Sequence, residues 1–154
     1  MNSDYIEMVI PSKAEYLGVV RLAVSGIAHR MGYTYEEIED IKIAVTEACT
    51  NVVFHAYEED EVANIKVNFA VYDNRLEIFV IDHGKSFNQQ AVQKQIGPVD
   101  SSVEVEKLNE GGLGLFLIET LMDKVEIVGE NGVVVAMTKF LKRDGVRSDV
   151  SRVK

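Results

Sequence analysis

The apolar residues of this chain change period abruptly, and that change limits the folds open to it. From Thr34 toward Tyr57, Ile38, Ile41, Val45, Ala48 and Val52 recur at the 3.6-residue spacing of a helix with one buried face. Soon afterwards Ile65 to Tyr72 and Leu76 to Asp82 alternate apolar with polar residues, and Asp73-Asn74 between them reads as a hairpin turn. A helix with one apolar stripe and a hairpin with one apolar face each need a covering surface. Packing them on each other satisfies both.

The remaining segments extend this scheme. Tyr5 to Ile10 reads as a first strand ended by Pro11, and Ser12 followed by Glu15 has the form of a capping box opening a helix through about Met31, where Gly32 is placed to stop it. Thr34 followed by Glu37 repeats the capping signal for the second helix. Leu113 to about Lys124 forms a shorter helix, and Val125 to Val128 with Val133 to Leu141 form a last hairpin through Asn131-Gly132. The order β α α β β, polar segment, α β β predicts an α+β two-layer sandwich: a largely antiparallel mixed sheet with helices on one face. Residues 1–142 are expected to form one domain, with a lid near 88–110 and a charged, flexible tail over 143–154.

Composition narrows the functions. A net charge of -9 over 154 residues lacks the basic face that phosphate contacts require, so direct nucleic-acid binding is not expected. The chain is 47% hydrophobic and 27% charged with two prolines, a globular and not a disordered composition. No stretch reaches the length of a membrane span, and the interleaved charges of the first thirty residues do not form a signal peptide, which points to the cytoplasm. Cys49, the only cysteine, lies in a helical apolar pattern and reads as a buried thiol.

Three separated patches carry chemistry. Glu47, Asn51 and His55 stand four apart on the second helix and run along one stripe beside its apolar face. A carboxylate there can take a proton from an attacking hydroxyl, and a carboxamide oxygen suits a hard Mg²⁺ also held by phosphates. Asp82-His-Gly84 ends a strand with a carboxylate that can accept a hydrogen bond from an exocyclic amine. Gly111-Gly112-Leu113-Gly114-Leu115 runs into a helix whose first N–H groups have no intrahelical partner and attract phosphate. Taken singly these read equally as a polar helix side, a turn and a flexible loop. Lone His55 is compatible with a hydrogen-bonded boundary residue, and no second His or Cys completes a zinc set.

In this order the patches resemble the Bergerat-type ATP-binding family, which includes histidine-kinase catalytic domains, the gyrase ATPase domain and Hsp90. Glu47 to Asn51 resembles its N box, Asp82-x-Gly84 its first glycine box and Gly112-x-Gly114 its second. Within that family, Met31 to Asn51 and Glu110 to Asp123 are most similar to the small anti-sigma factors with serine kinase activity, of the type that acts on sigma-B. The resemblance implies that Glu47 is the general base and Asn51 the Mg²⁺ ligand. Asp82 would read adenine with help from the Thr138 hydroxyl, and Gly84, Gly111, Gly112, Leu113, Gly114 and Leu115 would complete the ATP site. It also implies a serine on an anti-anti-sigma protein as substrate, a stress-type sigma factor as the inhibited partner, and a homodimer.

Two positions depart from the wider pattern. Ser86 stands where a second glycine of the first box is common, and Glu110 where some relatives carry a basic residue, with Lys107 the nearest cation. Two other readings stay open: a histidine-kinase-like catalytic module, for which no dimerisation helix pair is present, and a non-catalytic nucleotide-dependent binding protein. Arg21, interrupting the apolar run Val19 to Val24, is a candidate recognition residue or a solvated one.

Overall fold

The computed structural model describes residues 3–58, 64–82, 113–128 and 133–142. Strand β1 (Asp4–Pro11) leads through a 3₁₀ turn at Ala14–Tyr16 into helices α1 (Leu17–Met31) and α2 (Tyr35–Glu58). Strands β2 (Asn64–Val71) and β3 (Arg75–Asp82), helix α3 (Leu113–Leu121), and strands β4 (Lys124–Val128) and β5 (Val133–Phe140) follow. The strands form one sheet in the order β1-β2-β3-β5-β4, and all four pairings are antiparallel. The α+β sandwich expected from the sequence is the fold observed.

Local signals act where their hydrogen bonds close. Thr34 and Glu37 form the predicted capping box: the Thr34 N–H donates to Glu37 Oε1 at 2.8 Å and the Glu37 N–H to Thr34 Oγ1 at 3.2 Å. Gly32 takes φ 102, a left-handed value that a side chain resists, and its N–H and that of Tyr33 both donate to the Ala28 carbonyl. The β2–β3 turn is tight, with the Tyr72 N–H donating to the Arg75 carbonyl at 3.0 Å and the Arg75 guanidinium over the Tyr72 ring.

Two expectations are corrected. Ser12 and Glu15 form no capping box: neither the 3₁₀ turn nor α1 has a side-chain cap, and the Lys13 N–H donates to the Pro11 carbonyl at 2.8 Å instead. Helix α3 stops at Leu121, short of Lys124, which already belongs to β4. Tertiary bonds end it. The Lys139 ammonium donates to the Leu121 carbonyl at 2.7 Å, the Asp123 N–H to the Thr138 carbonyl at 2.9 Å, and the Phe140 N–H to Asp123 Oδ2 at 2.7 Å.

A single core lies between sheet and helices. Ile65, Val67, Phe69, Leu76, Ile78, Val80, Val135 and Met137 from the sheet meet Val20 and Val24 of α1, Ile41, Val45 and Ala48 of α2, and Leu115 and Ile118 of α3. Cys49 is buried among them and holds no disulfide. Helices α1 and α3 both pack against α2, so α2 is the central helix of its layer. The predicted lid at 88–110, the Asn131-Gly132 turn and the tail at 143–154 lie outside the described residues.

Candidate functional site

Helix α2 presents Glu47 and Asn51 one turn apart, both partly exposed, while Ala44 and Ala48 beside them are buried. The two polar residues therefore lie on the rim of the core. His55 lies a further turn along the same helix by its backbone. Directly across from Glu47 runs the first turn of α3, and the approach is close: a Cβ placed on Gly114 would lie 3.0 Å from Glu47 Oε1. The first and third patches, distant in sequence, are in contact in the fold.

At the end of β3, Asp82 is 3% exposed, and its backbone is paired with Ile65 on β2 and Val133 on β5. Its even-numbered neighbours Leu76, Ile78 and Val80 all face the helices, so Asp82 shares their side of the sheet. A buried carboxylate at the end of the core is an expensive placement unless polar groups meet it, which fits a hydrogen-bonding role better than a turn residue. Leu113, Gly114 and Leu115 form the start of α3, so their N–H groups lack carbonyl partners one turn earlier in the helix. The Leu115 side chain is 2% exposed and belongs to the core.

Thr138 is not brought to this group, which corrects the expectation that it assists Asp82. Paired residues share a face, and Thr138 pairs with Glu77 and Lys124 on the outer side of the sheet, whereas Asp82 faces the helices. Thr138 also lies five positions along β5 from Val133, roughly 16 Å at the strand rise. The unbroken apolar run Val133-Val-Val-Ala-Met137 conceals in the sequence which alternate residues point inward. Gly84, Gly111, Gly112, Ser86, Lys107 and Glu110 lie outside the described residues.

The chemistry of the donor set suits an adenine nucleotide. A buried carboxylate at one strand end can accept from an amine, and a helix start whose first N–H groups have no intrahelical partner attracts phosphate. Among the described residues no cluster of three or more His, Cys, Asp or Glu side chains is arranged to hold a metal. Asn51 alone would leave most of a metal's coordination to phosphates and water, the usual condition of nucleotide-borne Mg²⁺.

The site and the one-faced sheet define a class of ATP-binding domain, and a family profile described as Histidine kinase-like ATPase domain matches residues 10–139. The chain is 58% identical to Serine-protein kinase RsbW of Halalkalibacterium halodurans, over 97% of this chain and 91% of that relative. It is 53% identical to Serine-protein kinase RsbW of Bacillus subtilis, over 97% of this chain and 94% of that one. Within the histidine kinase-like ATPase domains, the chain belongs to the RsbW serine-protein kinases. Two solved structures share the fold. They are the RsbU and RsbW domains of a Mycobacterium tuberculosis protein, at TM-score 0.62 and 20% identity over 89% of this chain and 32% of that chain, and a SiaB–SiaC complex from Pseudomonas aeruginosa, at TM-score 0.60 and 12% identity over 88% of each.

Proposed function

We propose that this chain transfers the γ-phosphoryl group of ATP to a serine of a small anti-anti-sigma protein and, in its other role, binds and inhibits a sigma-B-like stress sigma factor. The observation that carries the kinase part is the Glu47 carboxylate set against the first turn of α3. The N–H groups of Leu113, Gly114 and Leu115, with Gly111 and Gly112 before them, hold the phosphates, and Asp82 accepts from the adenine amine, with Gly84 beside it. Asn51 would hold Mg²⁺, which when bound neutralises phosphate charge. The seryl oxygen attacks the γ-phosphorus, its proton passes to a Glu47 carboxylate oxygen, and ADP leaves.

General-base assistance of this kind is worth ~10²- to 10⁴-fold in rate, and positioning supplies much of the rest. Glu47→Gln is expected to keep ATP affinity and lose phosphotransfer by a factor in that range. Transfer at the wild-type rate in this variant would remove the assignment. With γ-labelled ATP, acid-stable phosphoserine on the partner supports the serine kinase. Acid-labile phosphohistidine would indicate the histidine-kinase-like module, and retention of partners without any transfer the binding protein.

The partner surface we assign to α1. Val19 and Leu22 are 45% and 75% exposed, Arg21 stands beside them, and Val20 and Val24 alone of that run are buried. A pull-down in Mg²⁺-ATP and in Mg²⁺-ADP that retains neither a sigma factor nor a small phosphorylated protein would undo the regulatory reading. We further propose a homodimer of single domains spanning 1–142, acting in the cytoplasm, for which light scattering gives the mass. No helix among the described residues is long and apolar enough to cross a membrane.

A further inference from the structure

The geometry points to a second role for Gly114: the absence of its side chain sets where the Glu47 carboxylate rests, which makes Gly114 a positioning residue for the proton acceptor. This rests on the proposed part of Glu47 in the reaction. A glycine inside a helix is less favourable than alanine, so a reason is needed for its presence in the first turn of α3. Backbone conformation does not supply one. Among the described glycines only Gly32 has a positive φ, so Gly114 occupies a conformation open to any residue.

Space does supply a reason. A Cβ on Gly114 would lie 3.0 Å from Glu47 Oε1, inside ordinary carbon–oxygen contact. The two described glycines of α1 differ: at Gly18 the nearest atom is Arg21 Nη2 at 3.8 Å, and at Gly26 nothing lies within 4 Å. Among the described glycines, only at Gly114 is the place of the missing methyl taken by a functional group. A methyl there drives the carboxylate away by tenths of an ångström or into another rotamer. A proton acceptor works only within about 2.6–3.2 Å of the proton donor oxygen, so a displacement on that scale matters to transfer and much less to binding.

A glycine that merely admits phosphate predicts a different pattern, and melting temperature, affinity and rate separate the two. The test compares wild type, Gly114→Ala, Glu47→Ala and the double variant, with Gly26→Ala as a control for an unobstructed helical glycine. Without nucleotide, Gly114→Ala is expected to melt no higher than wild type. In the Glu47→Ala background the same change is expected to raise melting by about 1–3 °C, as Gly26→Ala does. Affinity for Mg²⁺-ATP is expected to stay within threefold in Gly114→Ala, while phosphoserine formation on the purified anti-anti-sigma partner falls at least tenfold.

The same melting shift from Gly114→Ala in both backgrounds overturns the proposal, as does wild-type transfer by that variant. A loss confined to Mg²⁺-ATP affinity, equal with and without the Glu47 carboxylate, also overturns it. If Gly114→Ala alone fails to fold, a folded double variant supports the proposal and an unfolded one overturns it. Wild-type transfer by Glu47→Gln would instead sink the base assignment, with the melting reversal left intact.

Discussion

At the residue scale, burial makes the Cys49 thiol and the Tyr33 phenol harder to ionise. Desolvation pushes the Cys49 thiol up from 9.0 to about 12. Desolvation likewise raises the Tyr33 phenol above its ordinary 10.0, aided by the charges of Glu37 and Asp123 and opposed by a backbone hydrogen bond at Leu76. Its hydroxyl donates to the Lys139 carbonyl. Both groups hold their protons more tightly folded than unfolded, so the Cys49 contribution is complete below about pH 9 and withdrawn as pH rises toward 12, and that of Tyr33 is withdrawn from about pH 10 upward. The urea midpoint is expected to fall above pH 9, and Cys49→Ala to flatten the first part of that fall. Gly32, at φ 102, makes a different demand: Gly32→Ala is expected to destabilise by about 1–2 kcal/mol by urea denaturation.

At the scale of elements, one sequence pattern has two outcomes. Thr34 caps α2, whereas the Ser12 hydroxyl is buried without a hydrogen-bond partner: Lys13, not Ser12, takes the N-cap position of the 3₁₀ turn, and its N–H is tied back to the Pro11 carbonyl. Thr34→Ala is expected to cost about 1 kcal/mol. Ser12→Ala should be neutral or mildly stabilising, since it removes an unsatisfied polar atom; an equal loss in the two urea midpoints would contradict this. Capping chemistry is written in the residues, but whether it is used depends on where the preceding strand delivers the chain. The end of α3 was illegible for the same reason. Nothing between Leu121 and Lys124 breaks a helix, and the stop is imposed by Lys139, Thr138 and Phe140 on another element.

For the whole molecule, periodicity was sufficient to give the layers and the two hairpins, but not the order of the sheet. Turn signals name neighbours along the chain, and β5 lies between β3 and β4 because the chain crosses over through α3. The candidate site was legible only as a set of separate patches, each with its chemistry within a few residues. Their contact at Glu47 and Gly114, and the outward face of Thr138, depend on packing and register. Since its proposed parts come from α2, β3 and α3 together, Mg²⁺-ATP should stabilise the folded domain as a unit. At a hundredfold excess over its dissociation constant the gain is about 2.7 kcal/mol, a rise of several degrees in melting temperature. An unchanged melting curve would count against a nucleotide site spanning these elements. The sheet order also bears on how the chain is made. During synthesis β1 emerges before its partner β2, which follows both helices, and β3 waits for its partner β5, the last of the described strands. Open edges of this kind invite pairing with other chains. Interrupted translation before Val133 therefore leaves β3 without its pairing to β5 and the core without Val135 and Met137.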